Sequence, residues 1–204
     1  MNIVSRVSAI AAGLLALSAA PALANPFPPT VWQCLRNDQV TVLANEKTED
    51  VGTRFLVRTS TGDLKADCLV EQRPTDVVIG GGDDSAYYYI ALAKTFLILD
   101  AGTGPDRGLA IFNLPSAKPV FEGGYSVQGN CSPTAGCESD EFTIGENGVT
   151  FWREVKDKAT AKNCKDYAKF MKTTGSAAIE EKSLFRFSTQ KIESLKDRRC
   201  VQQQ

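Results

Sequence analysis

Residues 87–113 read YYYIALAKTFLILDAGTGPDRGLAIFN, and the way this stretch is punctuated decides the fold class. Tyr87 to Leu92, Phe96 to Asp100 and Gly108 to Asn113 are apolar runs of five or six residues, broken by a glycine-rich turn, Ala101-Gly102-Thr103-Gly104-Pro105-Asp106. Runs that short, rich in aromatic and branched side chains and bounded by turn formers, are strands rather than helices.

The pattern continues outward on both sides. Val40 to Ala44, Arg54 to Thr59, Asp67 to Glu71 and Asp76 to Ile79 precede it, and Pro119 to Glu122, Glu141 to Ile144 and Val149 to Arg153 follow it. Ser60-Thr61-Gly62-Asp63 and Glu146-Asn147-Gly148 supply turns, the second through an Asn-Gly pair expected at positive φ. One segment changes period. In Thr160 to Thr174, Cys164, Tyr167, Ala168 and Met171 recur at i, i+3, i+4 and i+7, and Gly175 waits as a stop, which predicts an amphipathic helix. Ser183 to Phe187 and Ile192 to Leu195, on either side of Ser188-Thr189-Gln190, predict a closing hairpin. The expected fold is mainly β: an antiparallel sandwich or curled sheet with one C-terminal amphipathic helix and a closing hairpin.

The first 24 residues read as an export signal. Arg6 supplies the positive charge, Ala9 to Leu17 the apolar run, and Ala22-Leu23-Ala24 the cleavage site. The run is too short to span a membrane as a helix, which takes about 20 apolar residues, and no other segment of the sequence is a candidate span. After the leader come a Pro-rich arm at 25–30, with Pro26, Pro28 and Pro29, and then one expected domain at 31–204. The expected location is periplasmic or secreted, in soluble form after cleavage.

Export makes the cysteines informative. Cys34, Cys68, Cys131, Cys137, Cys164 and Cys200 are six, without a Cys-x-x-Cys pair, and an oxidising compartment joins them as structural disulfides. Sequence alone leaves the pairing open. The favoured set is nearest-neighbour, Cys34 with Cys68, Cys131 with Cys137 and Cys164 with Cys200, because loop closure favours short separations. On the chain-entropy model a crosslink closing about 35 residues contributes about 4 kcal/mol, and one closing about seven contributes about 2.4.

Histidine is absent, which removes the commonest general base, the usual zinc ligand and every imidazole triad. Lys and Arg number 23 against 24 Asp and Glu, so without Arg6 the mature chain carries a net −2, a poor match for nucleic acid or anionic lipid. The lysines from Lys156 to Lys172 read as a solvated helix face. Carboxylates cluster at Asp83-Asp84 and at Glu138 to Glu141, but neither cluster follows a calcium-loop pattern, and no cofactor is expected. Ser188-Thr189-Gln190-Lys191 matches a Ser-x-x-Lys pair but falls in a predicted turn, where the amine cannot sit over the hydroxyl as it does on a helix.

The segment ending in Asp100-Ala101-Gly102-Thr103-Gly104 is similar to the phosphate-binding turn of actin-like and sugar-kinase ATPases, and to the Asp-Thr-Gly turn of aspartic proteases. It lacks the second domain of the first family, and it lacks the hydroxyl residue and second copy of the other. Its simplest reading is a strand end followed by a tight turn. Tyr87, Tyr88 and Tyr89 must alternate between the two faces of a strand, and tyrosines are favoured at recognition surfaces. The candidate ligand contacts are therefore Tyr87, Tyr88, Tyr89, Asp100, Thr103, Asp106 and Arg107.

Val31-Trp32-Gln33-Cys34 before a β-run, and Thr150-Phe151-Trp152 with Lys158-Ala159-Thr160, resemble pieces of small periplasmic lysozyme inhibitors, which are β-rich and disulfide-bonded. The serine-glycine loop that such inhibitors use is missing. The expected function is an exported, non-enzymatic envelope protein that binds a protein or glycan. Two alternatives stand beside it: a periplasmic inhibitor of a cell-wall hydrolase such as lysozyme, which the resemblance implies, and a hydrolase working with carboxylates alone.

Overall fold

The computed structural model describes residues 32–46, 51–81, 86–104, 107–114, 116–126 and 142–203. The leader, the Pro-rich arm, Cys131, Cys137, Asp106 and the acidic clusters at Asp83-Asp84 and Glu138 to Glu141 lie outside the described residues. In chain order the elements are β1 (Trp32–Arg36), β2 (Val40–Glu46), β3 (Thr53–Thr59), α1 (Leu64–Asp67), β4 (Val77–Ile79), β5 (Tyr87–Ala93), β6 (Phe96–Ala101), β7 (Arg107–Asn113), β8 (Lys118–Ser126), β9 (Thr143–Gly145), β10 (Gly148–Lys158), α2 (Tyr167–Thr173), β11 (Ala177–Arg186) and β12 (Lys191–Gln202). The chain is mainly β. Its two antiparallel sheets run β1-β2-β3-β4 and β12-β11-β10-β8-β7-β6-β5, with β9 added beside β10.

The stretch at 87–113 becomes the partition between two cores. Leu97, Leu99, Ala110 and Phe112 pack against Val42, Phe55 and Val57 of the small sheet. Their neighbours Phe96, Ile98, Leu109 and Ile111 point the other way, among Phe151 and Phe185. A strand covered on both sides needs apolar residues at successive positions, which is why the Phe96–Leu99 run does not alternate.

The large sheet is curled. In a flat sheet β6 and β11 would stand four strand spacings apart, about 19 Å. Instead the Phe96 ring lies 5.6 Å from Phe185 and 5.0 Å from Phe187, just beyond β11. Register shifts at Tyr89/Ala91, Ile111/Phe112, Glu154/Lys158 and Glu181/Ser183 provide the bends. The small sheet packs on the convex side of β5 to β7, and the phenylalanine core fills the concave side.

The segment after β3 is where the sequence reading needs its first correction. Asp67 to Glu71 is not a strand. Gly62 takes φ 89° in the turn, Asp63 caps α1 by accepting from the Lys65 and Ala66 amides, and Asp67 accepts from the Thr61 amide and hydroxyl. The carbonyls that a strand would give to a ladder go to Arg58. Its buried guanidinium donates to Asp67 O, Leu69 O and Glu71 O and pairs with Asp76, Nη2 to Oδ2 at 2.6 Å. Cys34 and Cys68 are joined, Cα atoms 5.6 Å apart, tying this segment to β1.

The second correction concerns the helix. α2 spans only Tyr167–Thr173, preceded by turns in which the Asn163 and Cys164 amides donate to Thr160 O. Cys164, bonded to Cys200, stands outside the helix, so spacing counted from it does not continue the helical period. The docked residues are Tyr167 and Phe170, while Ala168 and Met171 face solvent. A third correction falls at the β9–β10 hairpin. The turn is present, but neither Asn147 nor Gly148 takes positive φ. Gly148 is required by closeness instead, since a Cβ there would sit 2.0 Å from Phe185 O. The closing hairpin is present and longer than expected, β11 to β12.

Candidate functional site

Strand register brings six charged or phenolic side chains onto one row of the concave face. Arg107 stands opposite Tyr125, Tyr125 opposite Arg153, Arg153 opposite Glu181, and Glu181 opposite Arg198. Asp100 joins the row diagonally from β6, opposite Tyr88. The reason for the row is where the strands stop. β5 to β8 end at this level while β10 to β12 continue toward α2, so these positions form the rim of the phenylalanine core, where polar groups meet water.

Each carboxylate on the rim has a guanidinium partner. Arg107 grips Asp100 with two nitrogens, Nε to Oδ1 at 3.0 Å and Nη2 to Oδ2. The Tyr125 hydroxyl donates to the same Oδ1 at 3.1 Å. Arg153 donates to Glu181 Oε1 at 3.2 Å and to Ser183, and Arg198 pairs with Asp157. The hydrogen bond to Asp100 raises the Arg107 pKa against the opposing effect of burial. Burial, reinforced by the Asp100 charge, raises that of Tyr125. Both groups therefore remain protonated donors throughout the physiological range.

The rim is open at the Tyr88 end. The Arg107 side chain is 34% exposed and that of Asp100 19%, and the guanidinium lies 5.7 Å from the Tyr88 ring centre. Of the residues picked from sequence, the structure unites Tyr88, Asp100 and Arg107. Tyr87 and Tyr89 point to the opposite face, as strand alternation requires. Tyr87 meets Phe112 edge-on at 5.6 Å and donates to Glu122 Oε1 at 3.0 Å, and Tyr89 packs against the core between the sheets. Thr103 is exposed in the turn beyond β6.

Sequence reasoning missed Tyr125, Arg153, Glu181 and Arg198, because nothing local marks them. Their proximity depends on pairings between strands far apart in the chain. Among the described residues no group of three or more His, Cys, Asp or Glu is placed to hold a metal ion, and no helix is long and apolar enough to cross a membrane. Ser188 to Gln190 form the β11–β12 turn, so the Ser-x-x-Lys match sits on no helix. Trp32 and Trp152, from the two fragments similar to lysozyme inhibitors, lie in different sheets, and Trp152 stacks beneath the Arg199 guanidinium at 4.2 Å.

Comparison of the chain with protein-family models, with curated proteins and with solved structures finds no match in any of the three.

Proposed function

We propose that the chain is an exported, non-enzymatic binding protein of the cell envelope whose ligand, a protein or a glycan, is taken at the Tyr88 end of the charged rim. The observation that carries this reading is the state of Asp100. Its carboxylate is held by Arg107 and Tyr125 together, which fixes its orientation and makes it a braced recognition group. The described disulfides, Cys34–Cys68 and Cys164–Cys200, fit an oxidising compartment, periplasmic or extracellular.

A glycan suits the rim better than a protein. A half-open tyrosine ring beside a planar carboxylate–guanidinium pair offers one apolar face and several fixed donors and acceptors, the composition of a small polar-ligand site. The test is a carbohydrate array with the oxidised protein, alongside Tyr88→Ala and Arg107→Ala. Binding should fall about tenfold or more in both variants. Capture of envelope proteins with no glycan bound would shift the ligand class to protein. Release of product from any glycan, abolished by Asp100→Asn, would overturn the reading in favour of a carboxylate hydrolase.

A further inference from the structure

Beyond the far end of the rim, a cavity of about 360 Å³ opens beside the Cys164–Cys200 disulfide. One wall is the turn before α2, with Asn163, Lys165 and Asp166. The other is β11 and β12, with Ile179, Arg198, Arg199 and Cys200. The disulfide joins these walls, and so holds Lys165 close to two arginines that neighbour each other in sequence.

The charges around the cavity are not equally committed. Arg199 Nε is 2.7 Å from the buried Glu180 carboxylate, another of its nitrogens reaches Ser126, and its guanidinium stacks on Trp152. That group is structural. Arg198 pairs with Asp157, whose side chain is 58% exposed, and it faces Glu181, which is itself held by Arg153. A solvated ion pair of this kind is weak, so a bound anion can compete with Asp157 for Arg198. Asn163 is occupied, its amide nitrogen by Lys158 O and its amide oxygen by Thr160, which fixes the wall's shape. Asp166 is the carboxylate among the lining residues, against Lys165 and Arg198 once Arg199 is committed to Glu180.

We propose that this cavity binds a compact organic oxyanion, of monosaccharide size and carrying a carboxylate or phosphate, with Arg198 and Lys165 holding the anionic group and Ile179 and the disulfide lining the apolar side. The volume falls at the lower end of ligand pockets, about 300–1,000 Å³, which is room for one sugar ring and too little for a polymer chain. Guanidinium and ammonium together suit a planar or tetrahedral oxyanion. The site stands apart from the Tyr88 end of the rim, and its variants differ from those that test it.

Calorimetric titration of the oxidised protein with glucuronate, glucose 6-phosphate, glucose and inorganic phosphate separates the outcomes. Glucuronate or glucose 6-phosphate should bind, and glucose should not. Arg198→Gln and Lys165→Gln should each weaken binding about tenfold, and Asp157→Asn should tighten it by removing the competing carboxylate. Circular dichroism of each variant should match the parent. No heat from any anion up to about 10 mM, or binding unaffected by Arg198→Gln, would overturn the assignment. So would binding of inorganic phosphate alone, since it would show an ion site without a place for the sugar.

Discussion

Arg58 shows how one side chain replaces an entire strand of hydrogen bonds. Its side chain is 3% exposed, pairs with the buried Asp76 carboxylate, and accounts for three carbonyls of the segment that crosses the small sheet. Removing it leaves the buried Asp76 carboxylate with the Arg73 amide but without its charged partner, and takes the donor from those three carbonyls. Arg58→Ala should therefore lower stability by about 3–5 kcal/mol, read as a shift of the urea midpoint. Asp67 is the second such residue. Burial alone would raise its pKa, but the Thr61 amide and hydroxyl and the Arg36 guanidinium outweigh burial and hold it below the ordinary 3.8. A carboxyl lowered on folding stabilises the fold fully above its unfolded value, and that contribution disappears as pH falls through the lower folded value. The stability difference between the parent and Asp67→Asn should thus be largest near pH 7 and shrink by about pH 3, measured by urea titration at both.

At the scale of elements, α2 is held by its attachments more than by itself. Seven residues make a marginal helix in water, and its N-cap residue Asp166 makes no side-chain capping bond. Tyr167 and Phe170 dock it beside the Cys164–Cys200 bond, which links a turn to the last strand across a sequence separation of 36. Replacing both cysteines by serine should cost about 2–5 kcal/mol. It should also abolish hydrogen-exchange protection in Tyr167–Thr173 while leaving β6 and β7 protected. Loss of protection throughout the chain would mean that the disulfide staples the whole fold.

For the whole molecule, the decisive feature is the curl that brings β11 over β6. Phe96 is the contact between them, edge-on to Phe185 and stacked on Phe187. Phe96→Ala should destabilise the protein by about 3–5 kcal/mol by emptying the place where the two halves of the sheet meet, measured by thermal and urea unfolding. The same curl makes the rim. Tyr88, Asp100 and Arg107 were legible as candidates because three strands consecutive in the chain, β5 to β7, carry them, whereas Tyr125, Arg153, Glu181 and Arg198 come from four other strands.

Read alone, the sequence established the β class, the outline of most strands and the closing hairpin, and it favoured without settling the Cys34–Cys68 and Cys164–Cys200 pairings that the structure contains. Hydrophobic period, turn chemistry and loop length are all properties of neighbouring residues. Only the tertiary structure decided that Asp67 to Glu71 serves Arg58 instead of a sheet, that the docked side of α2 is Tyr167 and Phe170, and that a row of paired charges rims the concave core. Those outcomes depend on which distant residues arrive opposite one another, and local pattern does not say which strands far apart in the chain pair or how the sheet curls.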